Sequence, residues 1–194
     1  MRYLQLAELY EQLGNTAKRL EKIDILSKFL KQLSEEDKDV MYLLVGKIYP
    51  EYNEKEIGIS NQITIKAISK SIGVANSKVL EMWKKIGDLG KVAEELSKQK
   101  KQTTLKLVNK LTTQAVLENL RKLPELEGKG TISKKLLLTT ELLASASPLE
   151  ALYLTRTLIG DLRIGTQEST IREALAKAFF ENDGEAPKKI QAAI

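Results

Sequence analysis

Apolar positions recur three and four residues apart along almost the whole chain, which is the period of helices with one buried face. Tyr3, Leu6, Leu9, Tyr10 and Leu13 predict a first helix that stops at Gly14-Asn15. Asn15 or Thr16 is then positioned to cap a second, whose buried stripe is expected to be Leu20, Ile23, Leu26, Leu30 and Leu33. Ser34 followed by Glu35, Glu36 and Asp37 reads as a cap with an acidic first turn leading into Val40 to Val45, and Pro50 ends that element. Gly58 to Ser60 opens a helix through Ile65, Ile68 and Ile72, with Gly73 at its C-terminal side. Ser77 is expected to cap a helix carrying Val79, Leu80, Trp83 and Ile86, and Gly87-Asp88-Leu89-Gly90 to break it before Val92, Ala93 and Leu96.

Strand-like alternation is nearly absent. The one β-compatible stretch, Gln102 to Leu107, is expected to be a loop. Helical spacing resumes at Thr112 with Val116, Leu117, Leu120 and Leu123, ends at Pro124, and is followed by a Glu127-Gly128-Lys129-Gly130 loop. Ser133 is expected to cap an apolar helix through Leu136, Leu137, Leu142 and Leu143. Ser147-Pro148 restarts the chain with proline in the first helical position, and that helix ends near Gly160. A last helix starts at about Gly165-Thr166, and Asn182-Asp183-Gly184 closes it before a tail. The fold class predicted is therefore all-α, a compact multi-helix domain over residues 1–180, with 181–194 a tail or the start of a linker.

Composition narrows the chemistry. Aromatics are 5% of residues with one Trp, so the core is expected to be Leu, Ile, Val and Ala. There is no Cys and no His, which removes disulfides, thiol nucleophiles, the usual zinc ligands and imidazole acid-base catalysis. No signal peptide and no bilayer-spanning apolar run stand out, so the expected location is the cytoplasm, without a membrane partner. A net charge of +5, from 31 basic and 26 acidic residues, permits a polyanionic partner without requiring one.

The chain also contains an internal similarity. Ile57-Gly58 with Ala67-Ile68 and Lys70 has the same layout as Ile164-Gly165 with Ala174-Leu175 and Lys177. Upstream, Tyr42-Leu43 with Ile48 aligns on Tyr153-Leu154 with Ile159. This predicts an internal pseudo-two-fold repeat, each half a helix, a turn, an Ile-Gly step and a second helix. Glycine before a helix lets a ligand approach the backbone where unpaired N–H groups and the positive end of the helix dipole point outward. Phosphate suits such a site, and Arg163 and Thr166 would add a charge and a hydroxyl. Turn chemistry alone also explains a glycine at a helix junction, and Arg163, Lys18 and Arg19 also read as ordinary surface charges.

Glu150-Ala151-Leu152-Tyr153-Leu154-Thr155-Arg156, followed by Leu158-Ile159-Gly160-Asp161-Leu162-Arg163-Ile164-Gly165, closely resembles the signature of the DNA-binding domain of ATP-dependent DNA ligases. Ile57-Gly58-Ile59, Gly87 to Ala93, Lys18 to Lys22 and the opening Met1-Arg2-Tyr3-Leu4 support the resemblance, the last looking like archaeal members. The resemblance implies a helical, pseudo-two-fold domain that binds nicked double-stranded DNA from the minor-groove side, through phosphates and without sequence preference, in replication and repair. It carries phosphate contacts onto Gly160, Arg163, Gly165 and Thr166, onto Gly58 and Ser60 in the first half, and onto Thr16, Lys18, Arg19, Ser133, Lys134 and Lys135. Asp161 departs from the basic residue that some relatives carry there. The Lys-x-Asp-Gly motif whose lysine is adenylated is absent from the sequence, so no catalytic residue or metal ligand is assigned, and the chain alone is expected not to ligate. ATP and Mg are expected only in a full-length ligase. Gln102, Thr103, Thr104 and Leu105 stand where archaeal relatives carry a segment that docks on the sliding clamp (PCNA), a small apolar plug on extended main chain. A monomer is expected. A helical scaffold docking on the clamp or another acidic partner, and a helical glycosylase, are the competing readings.

Overall fold

A computed structural model describes residues 1–50, 52–53, 55–99 and 111–180. Residues 102–105, where a clamp-docking segment is expected, and the expected tail 181–194 lie outside the described residues. Among the described residues ten α-helices follow one another: α1 Tyr3–Gly14, α2 Arg19–Leu30, α3 Val40–Leu44, α4 Asn61–Ile72, α5 Asn76–Ile86, α6 Leu89–Lys98, α7 Thr113–Glu125, α8 Thr131–Ser145, α9 Pro148–Leu158 and α10 Glu168–Phe179. A 3-10 turn, Glu35–Asp37, precedes α3. Among the described residues there is no strand, only an isolated bridge between Arg2 and Thr112 that pins the N-terminus to the start of α7. The all-α prediction holds.

α9 is the axis of the core. Every residue from Glu150 to Leu158 is buried, so this helix has no solvent face. Proline stands at its first position, and the Ser147 N–H donates to the Glu150 carboxylate at 2.8 Å, one arm of a capping box. α1 lays Tyr3, Leu6, Tyr10 and Leu13 against it, with the Tyr10 and Tyr153 rings 5.1 Å apart and the Tyr10 hydroxyl donating to the Leu43 carbonyl. α6 makes the broadest contact with α9, and α2–α10 and α4–α8 form two further close pairs.

Several local expectations are corrected. Gly90 does not break a helix; it lies in the first turn of α6, where an added Cβ would sit 2.7 Å from the Leu152 carbonyl oxygen and 2.8 Å from Arg156 Cγ. It is the residue that lets α6 meet α9 backbone to backbone. Leu20 is 75% exposed, because the buried stripe of α2 runs through Lys22, Ile23, Leu26, Ser27 and Leu30 and leaves Leu20 at its edge. Neither Ser77 nor Ser133 is a cap: both lie inside their helices, which begin after Ala75 and after Gly130. α10 starts at Glu168, and α7 carries Pro124 in its last turn. Thr16 precedes α2 but does not cap it; its hydroxyl donates to Glu21 and accepts from the Lys18 N–H.

Candidate nucleic-acid interface

Two turns that leave the core and feed a helix have the same local construction. After α9, Gly160 reverses the chain with φ of 71°, its N–H bonding to the Thr157 carbonyl and the Asp161 N–H to the Arg156 carbonyl. After α3, Gly46 does the same with φ of 71°, its N–H bonding to Leu43 and the Lys47 N–H to Tyr42. The turn geometry thus matches Gly46 with Gly160, three residues away from the alignment of Tyr42 on Tyr153 read from the sequence. Each path then reaches a second positive-φ glycine three residues before a helix: Gly58, φ 60°, before α4, and Gly165, φ 59°, before α10. The path is longer in the first half, where Arg121 organises it by donating to the Ile48 carbonyl and to Asp39 while stacking on Tyr42 and Tyr49.

The two turns touch. A Cβ on Gly46 would stand 3.2 Å from Leu162 Cδ1. On one side of this contact lies a groove of about 450 Å³ that includes Arg19, Lys22, Arg163, Gly165 and Thr166. On the other lies one of about 750 Å³ that includes Lys47, Lys55, Gly58 and Ser60. Gly46 and Gly160 line both, so the two Ile-Gly steps open onto adjoining depressions.

Behind each Ile-Gly step stands a lysine from the partner helix. Lys22 of α2 is 94% buried by its 6% exposure, and its ammonium donates to the Ile164 carbonyl at 2.6 Å and the Gly165 carbonyl at 2.8 Å. Lys135 of α8, less buried, donates to the Gly58 carbonyl at 3.4 Å. Ser60 caps α4 by accepting from the Ile63 N–H, whereas Gln167 makes no side-chain cap at α10. α10 therefore starts without a side-chain cap, and Gln167 and Thr170 of its N-terminal turn line the groove that already holds Arg19 and Arg163, the Thr170 N–H bonding to the Gln167 carbonyl.

Arg163 is the one non-glycine residue with positive φ, 55°, among those described. Its guanidinium is engaged with the Asp161 carboxylate at 2.7 Å, approaches Asp88 at 3.5 Å and donates to the Gly87 carbonyl. Asp88 caps α6 through the Gly90 and Lys91 N–H groups and forms a buried ion pair with Arg156 at 2.6 Å. Burial pushes the Asp88 carboxyl up, but the Arg156 hydrogen bond and charge, the Lys91 amide and the Arg163 charge together outweigh it and hold the group below the usual carboxylate range. The turn is thus tied to both α6 and α9.

The residues singled out from sequence fall into three places. Gly160, Arg163, Gly165, Thr166 and Arg19 share the first groove, Arg19 also pairing with Glu173. Gly58 and Ser60 share the second, with Lys135 behind Gly58. Thr16 and Lys18 lie before α2, and Ser133 and Lys134 are exposed in the first turn of α8. Sequence reading missed Lys22, Asp88 and Arg156 as parts of this architecture. A lysine at 22 on the stripe of Leu26 and Leu30 was the available signal. No helix among the described residues is long and apolar enough to cross a membrane.

Residues 2–176 match the family described as "DNA ligase N terminus". Similar curated proteins include the DNA ligase of Methanosphaera stadtmanae, 44% identical over 181 residues, which covers 91% of this chain and 32% of that protein. The DNA ligase of Methanothermobacter thermautotrophicus is 39% identical over 178 residues, again 91% of this chain and 32% of its own length. That of Methanocaldococcus jannaschii is 36% identical over 197 residues, covering 99% of this chain and 34% of the relative. The chain spans about a third of the length of these relatives.

Proposed function

The chain belongs to the family of DNA ligase N termini, and from that premise we propose that it is the DNA-binding domain of an ATP-dependent ligase, holding nicked duplex DNA by its phosphates without reading sequence. The observation that carries the proposal is the pair of positive-φ glycine turns, at Gly58 and Gly165, opening onto adjoining grooves that meet at Gly46 and Gly160. Such turns offer backbone N–H groups to phosphate oxygens, which are the same at every base pair. Arg163, Arg19 and Thr166 in the first groove, and Lys47, Lys55 and Ser60 in the second, add charge and hydroxyl donors of the kind that position a duplex. In this proposal the adenylation chemistry, with ATP and Mg, falls to the rest of the ligase, and the role of this chain is to keep the nick in place during replication and repair.

A salt titration of binding to a nicked duplex, the same duplex intact, and a single strand tests it. The expected result is duplex affinity independent of sequence that falls steeply with salt, log K against log salt sloping by about −0.9 for each phosphate neutralised, and strongest on the nicked duplex. Absence of duplex binding at low salt overturns the proposal and favours the helical scaffold reading.

A further inference from the structure

Among the described residues two basic side chains are more than nine-tenths buried, Lys22 and Arg156. Arg156 has its carboxylate, Asp88 at 2.6 Å. Lys22 has none within ion-pair distance among the described residues; its ammonium meets only the Ile164 and Gly165 carbonyls. Carbonyl dipoles satisfy hydrogen bonds but do not neutralise a charge, and an ammonium taken out of water without a counter-charge is costly. The charge is not remote from solvent-borne anions either, since Lys22 lines the groove it shares with Arg19, Arg163, Gly165 and Thr166. Asp161, the acid on that groove wall, is engaged by Arg163.

We propose, building on the phosphate-binding reading above, that Lys22 is the positioning residue of the Gly165 turn and that the phosphate seated there completes its charge. Its two hydrogen bonds draw the Ile164 and Gly165 carbonyls toward α2, which leaves the N–H side of the turn to the groove. Glycine at 165 is favoured by its φ of 59°, which side chains rarely adopt, and an added Cβ would come 2.7 Å from the Lys22 nitrogen, so that the ammonium would have to shift off the carbonyls. Lys135 performs the lesser version at Gly58, where its nitrogen is 3.4 Å from the carbonyl.

Replacing Lys22 by Gln retains a donor without the charge, Lys22→Met removes both while keeping the stem, and Lys22→Arg keeps the charge. For variants that melt cooperatively, Gln and Met are expected to lower nicked-duplex affinity at fixed salt by about ten- to a hundredfold, as loss of a charge-assisted contact does. They are also expected to flatten the salt slope by about one unit, with Arg restoring much of both. A residue that only supported folding would lower the melting temperature and leave the slope alone. Wild-type affinity and slope in folded Lys22→Gln and Lys22→Met overturn the inference while leaving the DNA-binding proposal intact; failure of the unmodified protein to bind duplex overturns both. Should the neutral variants not fold, nitrogen-15 NMR of the unmodified protein decides: the Lys22 ammonium signal shifts and its hydrogens exchange more slowly when duplex is added, and an unchanged signal overturns the inference.

Discussion

Arg163 faces a choice of partners. Its backbone is held at φ 55°, an αL conformation unfavourable for a side chain with a Cβ, and its guanidinium is already engaged by Asp161 and near Asp88. To reach a phosphate it must loosen the Asp161 contact, an exposed pair of the kind worth about 0–1 kcal/mol. Two opposite outcomes follow from this competition. Arg163→Ala is expected to weaken duplex binding and reduce the magnitude of the salt slope by about one, because one phosphate contact and its released counterion are lost. Asp161→Asn is expected to tighten binding by up to about fivefold, the exposed-pair energy expressed as an equilibrium factor. Fluorescence anisotropy on one labelled duplex measures both. Equal affinity in all three proteins removes Arg163 from the interface.

At the scale of elements, α6 is held to α9 by two features at its N-terminus: the close approach allowed by Gly90, and the Asp88–Arg156 pair. Asp88→Ala removes a cap and leaves Arg156 buried without its carboxylate, so the expected loss is about 3–5 kcal/mol. The same pair sets an acid limit. Because the folded-state pKa of Asp88 lies below its unfolded value, its stabilisation is fully present above the unfolded carboxylate pKa of about 3.9 and is lost as pH falls through the lower, folded value. Thermal melts from pH 7 downward should therefore show a steeper acid loss for the native chain than for Asp88→Asn. Parallel curves would assign the acid sensitivity to other carboxylates. Most helices were legible from spacing because a buried stripe repeats whatever covers it: α1 and the Pro148 start of α9 are examples. What spacing does not contain is the partner surface. Spacing puts Leu20 inside and passes over Lys22 because the rotation of the α2 stripe is set by α10, and Gly90 reads as a breaker although α9 lies across it. The glycines of the candidate site were legible for the opposite reason, since positive φ is a local demand that a sequence has to meet locally.

The whole molecule carries +5 and contains no histidine, and this combination separates phosphate binding by fixed charges from binding gated by protonation. Lysine and arginine keep their charge through the neutral range, and histidine is the side chain whose ordinary pKa lies between pH 5 and 8. Of the groups outside the side chains, the terminal ammonium of Met1 is paired with Asp37 at 2.6 Å, away from both grooves. Duplex affinity at fixed ionic strength should consequently be flat, within about twofold, from pH 6 to 8, while the same affinity changes by orders of magnitude across a salt series. Isothermal titration in buffers of differing ionisation enthalpy offers a second check, because binding by permanently charged groups takes up and releases no protons, so the observed enthalpy should not depend on the buffer. A salt-steep but pH-dependent affinity, with buffer-dependent heat, would mean that a carboxylate is protonated as DNA binds.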